Sequence, residues 1–288
     1  MIIVTGCGPL GAGLVRSMQG QIVKGACDRG NSEIPRGFLT YDFSSETDIT
    51  RLVKNEKPNL LILTEEIDNI EYCEQNRMDT MQYNTRAIRY FTEAAQSSGS
   101  RVIYRSTAFV FDGRKPGGMY TETDHANPVN VYGETKLMGE VATDKVPGFL
   151  IVRMGEVYGA YPDNFVSHIC DLLKRGEKAE LARDMYFSPI YIEDAIAAIK
   201  TLAASNMLGF CNVAGPERIS HYDFGRKIAA TFGLNEDLLV PVSAAQLKLT
   251  VLMPVDISLD ISLLSTMVKT RTADEGLAAM KDAEYKKK

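Results

Sequence analysis

Tyr132 and Lys136 stand four residues apart in the stretch NVYGETKLMGE at 130–140. On a helix that spacing stacks both side chains on one face. A free phenol titrates near pH 10, so acid–base work at neutral pH asks for a shift of roughly 3 units, about 4 kcal/mol. A neighbouring ammonium favours the phenolate and supplies part of it. The lysine can also bond a cofactor ribose. The spacing alone carries little weight: 13 tyrosines and 16 lysines in 288 residues give about 0.7 such pairs by chance. The neighbourhood adds the weight. Pro128 and Asn130 signal a helix start just before the tyrosine. Upstream, the apolar run at 101–106 predicts a strand ending at Ser106-Thr107, 25 residues before Tyr132 (132 − 107). A hydroxyl at the carboxyl end of a central strand lies where active sites of such sheets sit. Thr107, placed to hydrogen-bond a substrate carbonyl, completes a candidate catalytic set with Tyr132 and Lys136.

Gly6-Cys7-Gly8-Pro9-Leu10-Gly11 is a GxGxxG pattern that follows an apolar run, IIVT (2–5), and opens a helical stretch. Glycine lets the turn tighten and lets backbone N–H groups approach a pyrophosphate, to which the helix N-terminus adds partial positive charge. Asp28 ends the second apolar run, 17 residues beyond Gly11 (28 − 11). A carboxylate there would accept bonds from an adenosine ribose and repel a 2′-phosphate. The implied cofactor is NAD or NADP, with NAD favoured by Asp28 and adjacent Arg29 working against that preference.

These groups need a frame. Apolar runs at 21–26, 38–41, 60–63, 101–106 and 149–154 alternate with helical patterns to about Gln19, near 76–97 and near 131–144. Runs that do not alternate suit strands buried on both faces, and strand–helix alternation implies a parallel sheet. Beyond residue 155 the rhythm loosens. A helix is expected at 164–175, then the apolar stretches 188–204 and 209–215. Ser220 with Asp223, and Thr272 with Glu275, read as capping boxes, and Gly233 as a helix end. The expected fold is α/β, a Rossmann-like doubly wound parallel sheet with a smaller C-terminal α+β lobe. Residues 1–158, with 188–212 returning, would form the NAD(P)-binding domain. Residues 159–187 and 213–288 would form the substrate lobe.

A net charge of −5 argues against a nucleic-acid partner. The terminal Lys286-Lys287-Lys288 reads as a frayed tail. No apolar stretch approaches the ~20 residues of a membrane helix, and the start MIIVTGCG lacks the features of a signal peptide. The 5 cysteines are odd in number and form no CxxC pair, so neither a disulfide framework nor a cysteine metal site is expected. The 3 histidines, His125, His168 and His221, lack ligand spacing, and no metal is expected. A cytoplasmic, reducing location fits.

Six segments then resemble extended short-chain dehydrogenases, and within them the dTDP-4-dehydrorhamnose reductase family. They are VTGCGPLG (4–11), STAFVFDG (106–113), PVNVYGETKLMGE (128–140), VRMGEVYG (152–159), RDMYFSPIYIEDAI (183–196) and DISLDISLLST (256–266). The resemblance implies that Tyr132 donates a proton, Lys136 tunes it and holds the nicotinamide ribose, and Thr107 polarises the carbonyl. It implies that Asn84 is the family's structural and catalytic asparagine. Asp42 would contact the adenine, with Phe43 beside it. The substrate it implies is a nucleotide-linked 4-keto sugar, and a homodimer is the family's expectation. The chain departs from the pattern in places. Its glycine loop is one residue short of GxxGxxG. Thr64-Glu65-Glu66 replace small residues beside the cofactor, and two carboxylates near a pyrophosphate are unfavourable unless paired or turned away. Ala108-Phe109 stand where the reductases carry Asp-Tyr, and Met253 where an arginine is common. Two other readings share the motifs: a sugar-nucleotide epimerase that recycles its cofactor, and a non-catalytic regulatory subunit like the beta subunit of methionine adenosyltransferase. Fold alone does not separate them.

Overall fold

The apolar runs of the N-terminal half become the strands of one sheet. The computed structural model describes residues 1–18 and 20–285. Gln19, where the first helical stretch was expected to end, and the Lys286-Lys287-Lys288 tail lie outside the described residues. In chain order the sheet region contains β1 (Ile2–Thr5), α1 (Pro9–Ser17), β2 (Val23–Asp28), β3 (Leu39–Tyr41), α2 (Glu46–Glu56), β4 (Leu60–Leu63), α3 (Ile70–Gln75), α4 (Arg77–Met81), α5 (Ala87–Ser98) and β5 (Arg101–Thr107). There follow α6 (Val131–Thr143), β6 (Phe149–Met154), β7 (Val157–Tyr158), α7 (Phe165–Lys174), β8 (Ala179–Ala182), β9 (Tyr186–Phe187) and β10 (Ile190–Tyr191). The chain continues through α8 (Ile192–Ala204), β11 (Gly209–Val213), β12 (Ile219–Ser220), α9 (His221–Phe232), β13 (Leu239–Val242), α10 (Ser262–Ser265) and α11 (Ala273–Tyr285).

Seven strands pair in the order β11-β6-β5-β4-β1-β2-β3. β1 runs parallel to β2 and β4, β2 to β3, and β4 to β5. This is a Rossmann-like doubly wound sheet. The chain changes direction across the sheet between β1 and β4, and at such a switch point ligands bind beyond the carboxyl ends of the strands. The loops leaving those ends carry Gly6–Gly11 and Thr64–Glu66. All four residues of β4 are buried, which explains a run of pure leucine and isoleucine there. Tyr41, Phe43 and Phe91 form an aromatic nest in the core beside Ile3, Leu61 and Val102.

The chain divides into two units. One holds Met1–Val110, Ala126–Arg153 and Ile199–Cys211; the other holds Phe111–His125, Met154–Ala198 and the residues from Asn212 on. The bounds expected from the sequence differ at 154–158, at 188–198 and, over the longest stretch, at 111–125. That segment sorts with the second unit because its backbone is bonded there: the Tyr120 N–H donates to the Ser258 carbonyl at 2.8 Å, and Asn212 Nδ2 donates to the Tyr120 carbonyl at 2.8 Å. No apolar periodicity advertises such pairing. Within the second unit, β7 pairs with β10, β8 with β13 and β9 with β12. Its core is aromatic, with Phe165, Phe187 and Phe224 around His221. Burial pushes the His221 imidazole down to about 4, so it is a neutral packing group at physiological pH.

Helix starts follow their caps. Asn130 Oδ1 accepts the Gly133 N–H at 2.9 Å and opens α6, and Ser220 Oγ accepts the Asp223 N–H at 3.0 Å and opens α9. Two expectations need correction. The helix read as continuous near 76–97 is broken: α4 and α5 are separated by a π-helical turn at Gln82–Arg86. The cysteines also behave differently, for Cys7 and Cys27 are joined as a disulfide with their Cα atoms 5.6 Å apart. Counting cysteines could not reveal this. The parallel register that sets Thr5 beside Ala26 carries Cys7 next to Cys27. Among the described residues no helix is long and apolar enough to cross a membrane.

One buried ion pair fixes α6 to the sheet. Arg153 of β6 grips Glu140 of α6 with two bonds, Nε to Oε1 at 3.1 Å and Nη2 to Oε2 at 2.9 Å. Ser106 of β5 donates to the same carboxylate at 2.5 Å. Removing one partner of such a pair leaves a buried charge unpaired. Arg153→Met is therefore expected to lower the unfolding free energy by about 3–5 kcal/mol, read from urea denaturation. A loss below about 1 kcal/mol would mean that this pair does not anchor α6.

Candidate active site

α6 carries Tyr132 and Lys136 on the face it turns to β5, and both are buried. Lys136 is only 1% exposed, yet its ammonium is well held. Nζ donates to the Arg105 carbonyl at 2.6 Å, pairs with Glu66 Oε2 at 2.7 Å, and sits 4.4 Å above the Tyr104 ring. Glu66 follows β4 and lies between two cations: its Oε1 is 2.6 Å from the Arg105 guanidinium. The Tyr132 hydroxyl donates a long bond to Glu66 Oε2 at 3.4 Å, with Thr107 of the β5 end nearby. The Phe109 ring packs edge-on against Tyr132, 5.6 Å between centroids. Thr107, Tyr132 and Lys136 thus come together as their spacing anticipated.

The electrostatics differ from the simple expectation of a lysine-lowered phenol. Burial, then the Glu66 charge, hold Tyr132 well above the ordinary tyrosine range, while Arg105 works the other way. Burial lowers Lys136, opposed by Glu66. For Glu66 itself burial would raise the carboxyl, but Arg105 and Lys136 outweigh it and hold it low. At neutral pH the resulting site holds a protonated phenol beside a paired carboxylate and ammonium. Burial and Glu66 make this phenol a weaker acid than a free tyrosine.

The glycine loop has the form expected of a pyrophosphate cradle. Gly6 has φ +105°, a value that L side chains rarely adopt, and a Cβ on it would meet Thr64 Oγ1 at 2.7 Å. A Cβ on Gly11 would meet the Gly6 carbonyl oxygen at 2.2 Å. Pro9 takes the first helical position, Leu10 is buried beneath it, and no side chain caps α1 or places an acid in its first turn. The helix N-terminus therefore presents its partial positive charge unneutralised. Gly8, the cap residue, has nothing within 4 Å of where its Cβ would be. The loop's shape and charge fit a dinucleotide pyrophosphate.

The adenosine-side candidates are more heavily engaged than their types suggested. Asp28 is 6% exposed; its carboxylate accepts from the Phe43 N–H at 2.9 Å, the Gly30 N–H at 3.1 Å and the Tyr83 hydroxyl at 3.0 Å. Arg29 pairs with Asp48 at 3.0 Å. Asp42 Oδ1 accepts from the Ser44 N–H and hydroxyl, bonds that hold its carboxyl below the usual range. Phe43 stacks on Tyr83 at 4.8 Å, and its ring is a core group. The two carboxylates expected to trouble a pyrophosphate part company. Glu65 accepts from the Tyr41 hydroxyl at 2.7 Å and from Asn31 Nδ2 at 2.6 Å, while Glu66 faces Arg105 and Lys136.

Asn84 occupies the π-helical turn and is fully buried. Its amide clamps the backbone of Ile67, accepting the Ile67 N–H and donating to the Ile67 carbonyl, both at 2.9 Å. It thereby fixes the segment that carries Glu66. The turn explains why α4 and α5 are not one helix: the wider coil lets Asn84 reach across. Sequence reasoning missed Glu66 and Arg105 as site residues. An arginine inside an otherwise apolar strand, with an acid after the neighbouring strand, was the signal that could have found them.

The sequence matches the family described as the RmlD substrate binding domain over residues 1–285. The chain belongs to that family. It is 30% identical over 236 residues to a dTDP-4-dehydrorhamnose reductase of Aggregatibacter actinomycetemcomitans, spanning 77% of this chain and 76% of that one. Among solved structures, a hypothetical dTDP-4-dehydrorhamnose reductase from Sulfolobus tokodaii superposes with a TM-score of 0.85 at 28% identity, covering 93% of this chain and 95% of that one. A dTDP-4-dehydrorhamnose reductase from Bacillus anthracis in complex with NADP shares the fold, with a TM-score of 0.84 at 24% identity and 98% of each chain covered.

Asn84→Ala would strip the Ile67 N–H and carbonyl of their partners. A loss of about 1–3 kcal/mol in unfolding free energy is expected, together with faster hydrogen exchange at the Ile67 amide. Unchanged exchange there would contradict the clamp.

Proposed function

We propose that this protein is an NAD(P)-dependent oxidoreductase that reduces the keto group of a nucleotide-linked sugar, in the manner of a dTDP-4-dehydrorhamnose reductase. The observation that carries this reading is a buried Tyr132 one helical turn from a buried, paired Lys136 ammonium, with Thr107 beside the phenol at the end of β5. The bound cofactor supplies the hydride. Thr107 donates a hydrogen bond to the substrate carbonyl and polarises it. Tyr132 passes its proton to the same oxygen as negative charge builds there. Lys136 stabilises the phenolate left behind; its ammonium carries three donors, so it can hold a ribose hydroxyl besides Arg105 and Glu66.

Gly6, Gly8 and Gly11 with Pro9 and Leu10 hold the pyrophosphate at the α1 N-terminus. Asp28, Arg29, Asp42 and Phe43 border the adenosine. Between NAD and NADP, the Asp28 and Glu65 carboxylates and the tying of Arg29 to Asp48 favour NAD. The first unit carries the cofactor, and the second supplies recognition of the nucleotide sugar. A cytoplasmic location and a homodimer complete the proposal, the latter on the family's expectation alone; its acidic charge speaks against nucleic acid as a partner.

Purified protein with NADH or NADPH should consume cofactor when given a nucleotide-linked 4-keto sugar. Tyr132→Phe should lose about 10²–10⁴-fold in turnover while binding cofactor as tightly as the parent. Full turnover by Tyr132→Phe would overturn the assignment of the proton donor.

A further inference from the structure

The mechanism above uses Tyr132, Lys136 and Thr107, and leaves the segment VRMGEVYG (152–159) without a task. Glu156 stands in it, two residues past the end of β6 (156 − 154). Ligands bind beyond the carboxyl ends of strands in a sheet of this kind. The residue belongs to the second unit, and its backbone is held there on both sides. The Gly155 N–H donates to the Val213 carbonyl at 2.9 Å, and the Glu156 carbonyl accepts the Ile190 N–H at 2.8 Å. A Cβ on Gly155 would meet the Ser188 carbonyl oxygen at 2.2 Å, so the chains are pressed close at this point. The Glu156 carboxyl itself has no hydrogen-bond or ion-pair partner among the described residues. The residue is partly exposed, yet burial alone pushes its carboxyl up to about 7. Among the described residues no charged neighbour contributes to that rise. Together these facts describe a side chain in a crevice, crowded by protein but open to a small polar group. An acid withdrawn from water without a partner costs stability unless a ligand supplies the bond.

We propose that Glu156 is a specificity-determining residue of the second unit: its carboxyl, set by a clamped backbone and without a protein partner, accepts a hydrogen bond from a donor on the sugar of the nucleotide-linked substrate, a hydroxyl or an ammonium. This rests on the reading that the second unit recognises a nucleotide sugar, and deepens it. The chemistry selects among the parts of such a substrate. A diphosphate is negatively charged and offers only acceptors, so a carboxylate repels it. A phosphate site would hold an arginine, a lysine or a helix N-terminus instead. The sugar is the part of the substrate richest in donors. Its hydroxyls both give and take hydrogen bonds, so they suit a carboxyl in either protonation state. An ammonium on the sugar would in addition hold the carboxyl in its charged form.

Binding separates these parts and needs no turnover. Calorimetry on the full chain is run with NADH, dTDP, dTDP-glucose and a dTDP-linked amino sugar, for the parent, Glu156→Gln and Glu156→Leu. In Glu156→Leu the affinity for a sugar relative to dTDP is expected to fall by about 10-fold or more, with the affinities for dTDP and NADH kept. Glu156→Gln keeps an acceptor and is expected to fall between. The sugar with the larger loss identifies the donor: dTDP-glucose a hydroxyl, the amino sugar an ammonium. An unchanged ratio in Glu156→Leu overturns the proposal. A loss that falls equally on dTDP, or on NADH, overturns it too, because it would place the carboxyl at the nucleotide or at the cofactor. Urea denaturation checks for a purely structural role. Glu156→Leu removes an acid that has no partner, so its unfolding midpoint is expected to stay or rise; a marked drop in both variants overturns the proposal. A parent that binds neither sugar fails the nucleotide-sugar reading and the proposal with it, whereas bound sugar with an unmoved ratio fails the proposal alone.

Discussion

An ammonium that is 1% exposed must be paired, and this site is organised around that requirement. Lys136 cannot leave the interior, because α6 is locked to the sheet through Glu140, Arg153 and Ser106. Its charge is answered by the Arg105 carbonyl, the Tyr104 ring and the Glu66 carboxylate. Glu66 in turn needs a second cation to outweigh its own burial, and Arg105 provides it. The three charges hold one another in place, and Tyr132 inherits its chemical state from them.

The sheet makes this arrangement possible. β4 and β5 lie side by side in parallel, so the residues leaving their carboxyl ends meet at one edge. Glu66 comes from one strand end and Thr107 from the other. Asn84, carried by the π-helical turn, acts on the backbone here. Its bonds to Ile67 set the path of the chain just past Glu66. On the far side of β1, the glycine loop and α1 keep a clear, positively polarised helix end where a diphosphate belongs.

Much of this was legible in the sequence. The apolar runs gave the strands and their parallel character because strands buried on both faces show no alternation, as in β4. Thr107, Tyr132 and Lys136 were found because strand end, helix start and helical spacing are local signals. What could not be read was any pairing across strands. Asp28 is a carboxylate at the right position, but its three internal donors come from Gly30, Phe43 and Tyr83. Glu65 and Glu66 looked alike as a pair, yet adjacent residues of an extended segment point opposite ways, one to Tyr41 and Asn31, the other to Arg105 and Lys136. The joining of Cys7 to Cys27 likewise depends on strand register, which counting cysteines does not supply.

Hydride and proton are expected to reach one carbonyl group of a nucleotide-linked sugar together. Nicotinamide cofactor carrying deuterium at the transferable position, mixed with the protein and a dTDP-linked 4-keto sugar, tests it most directly. Deuterium at C4 of the product is the expected result. Cofactor that binds but leaves no deuterium on any carbon of the sugar would contradict it.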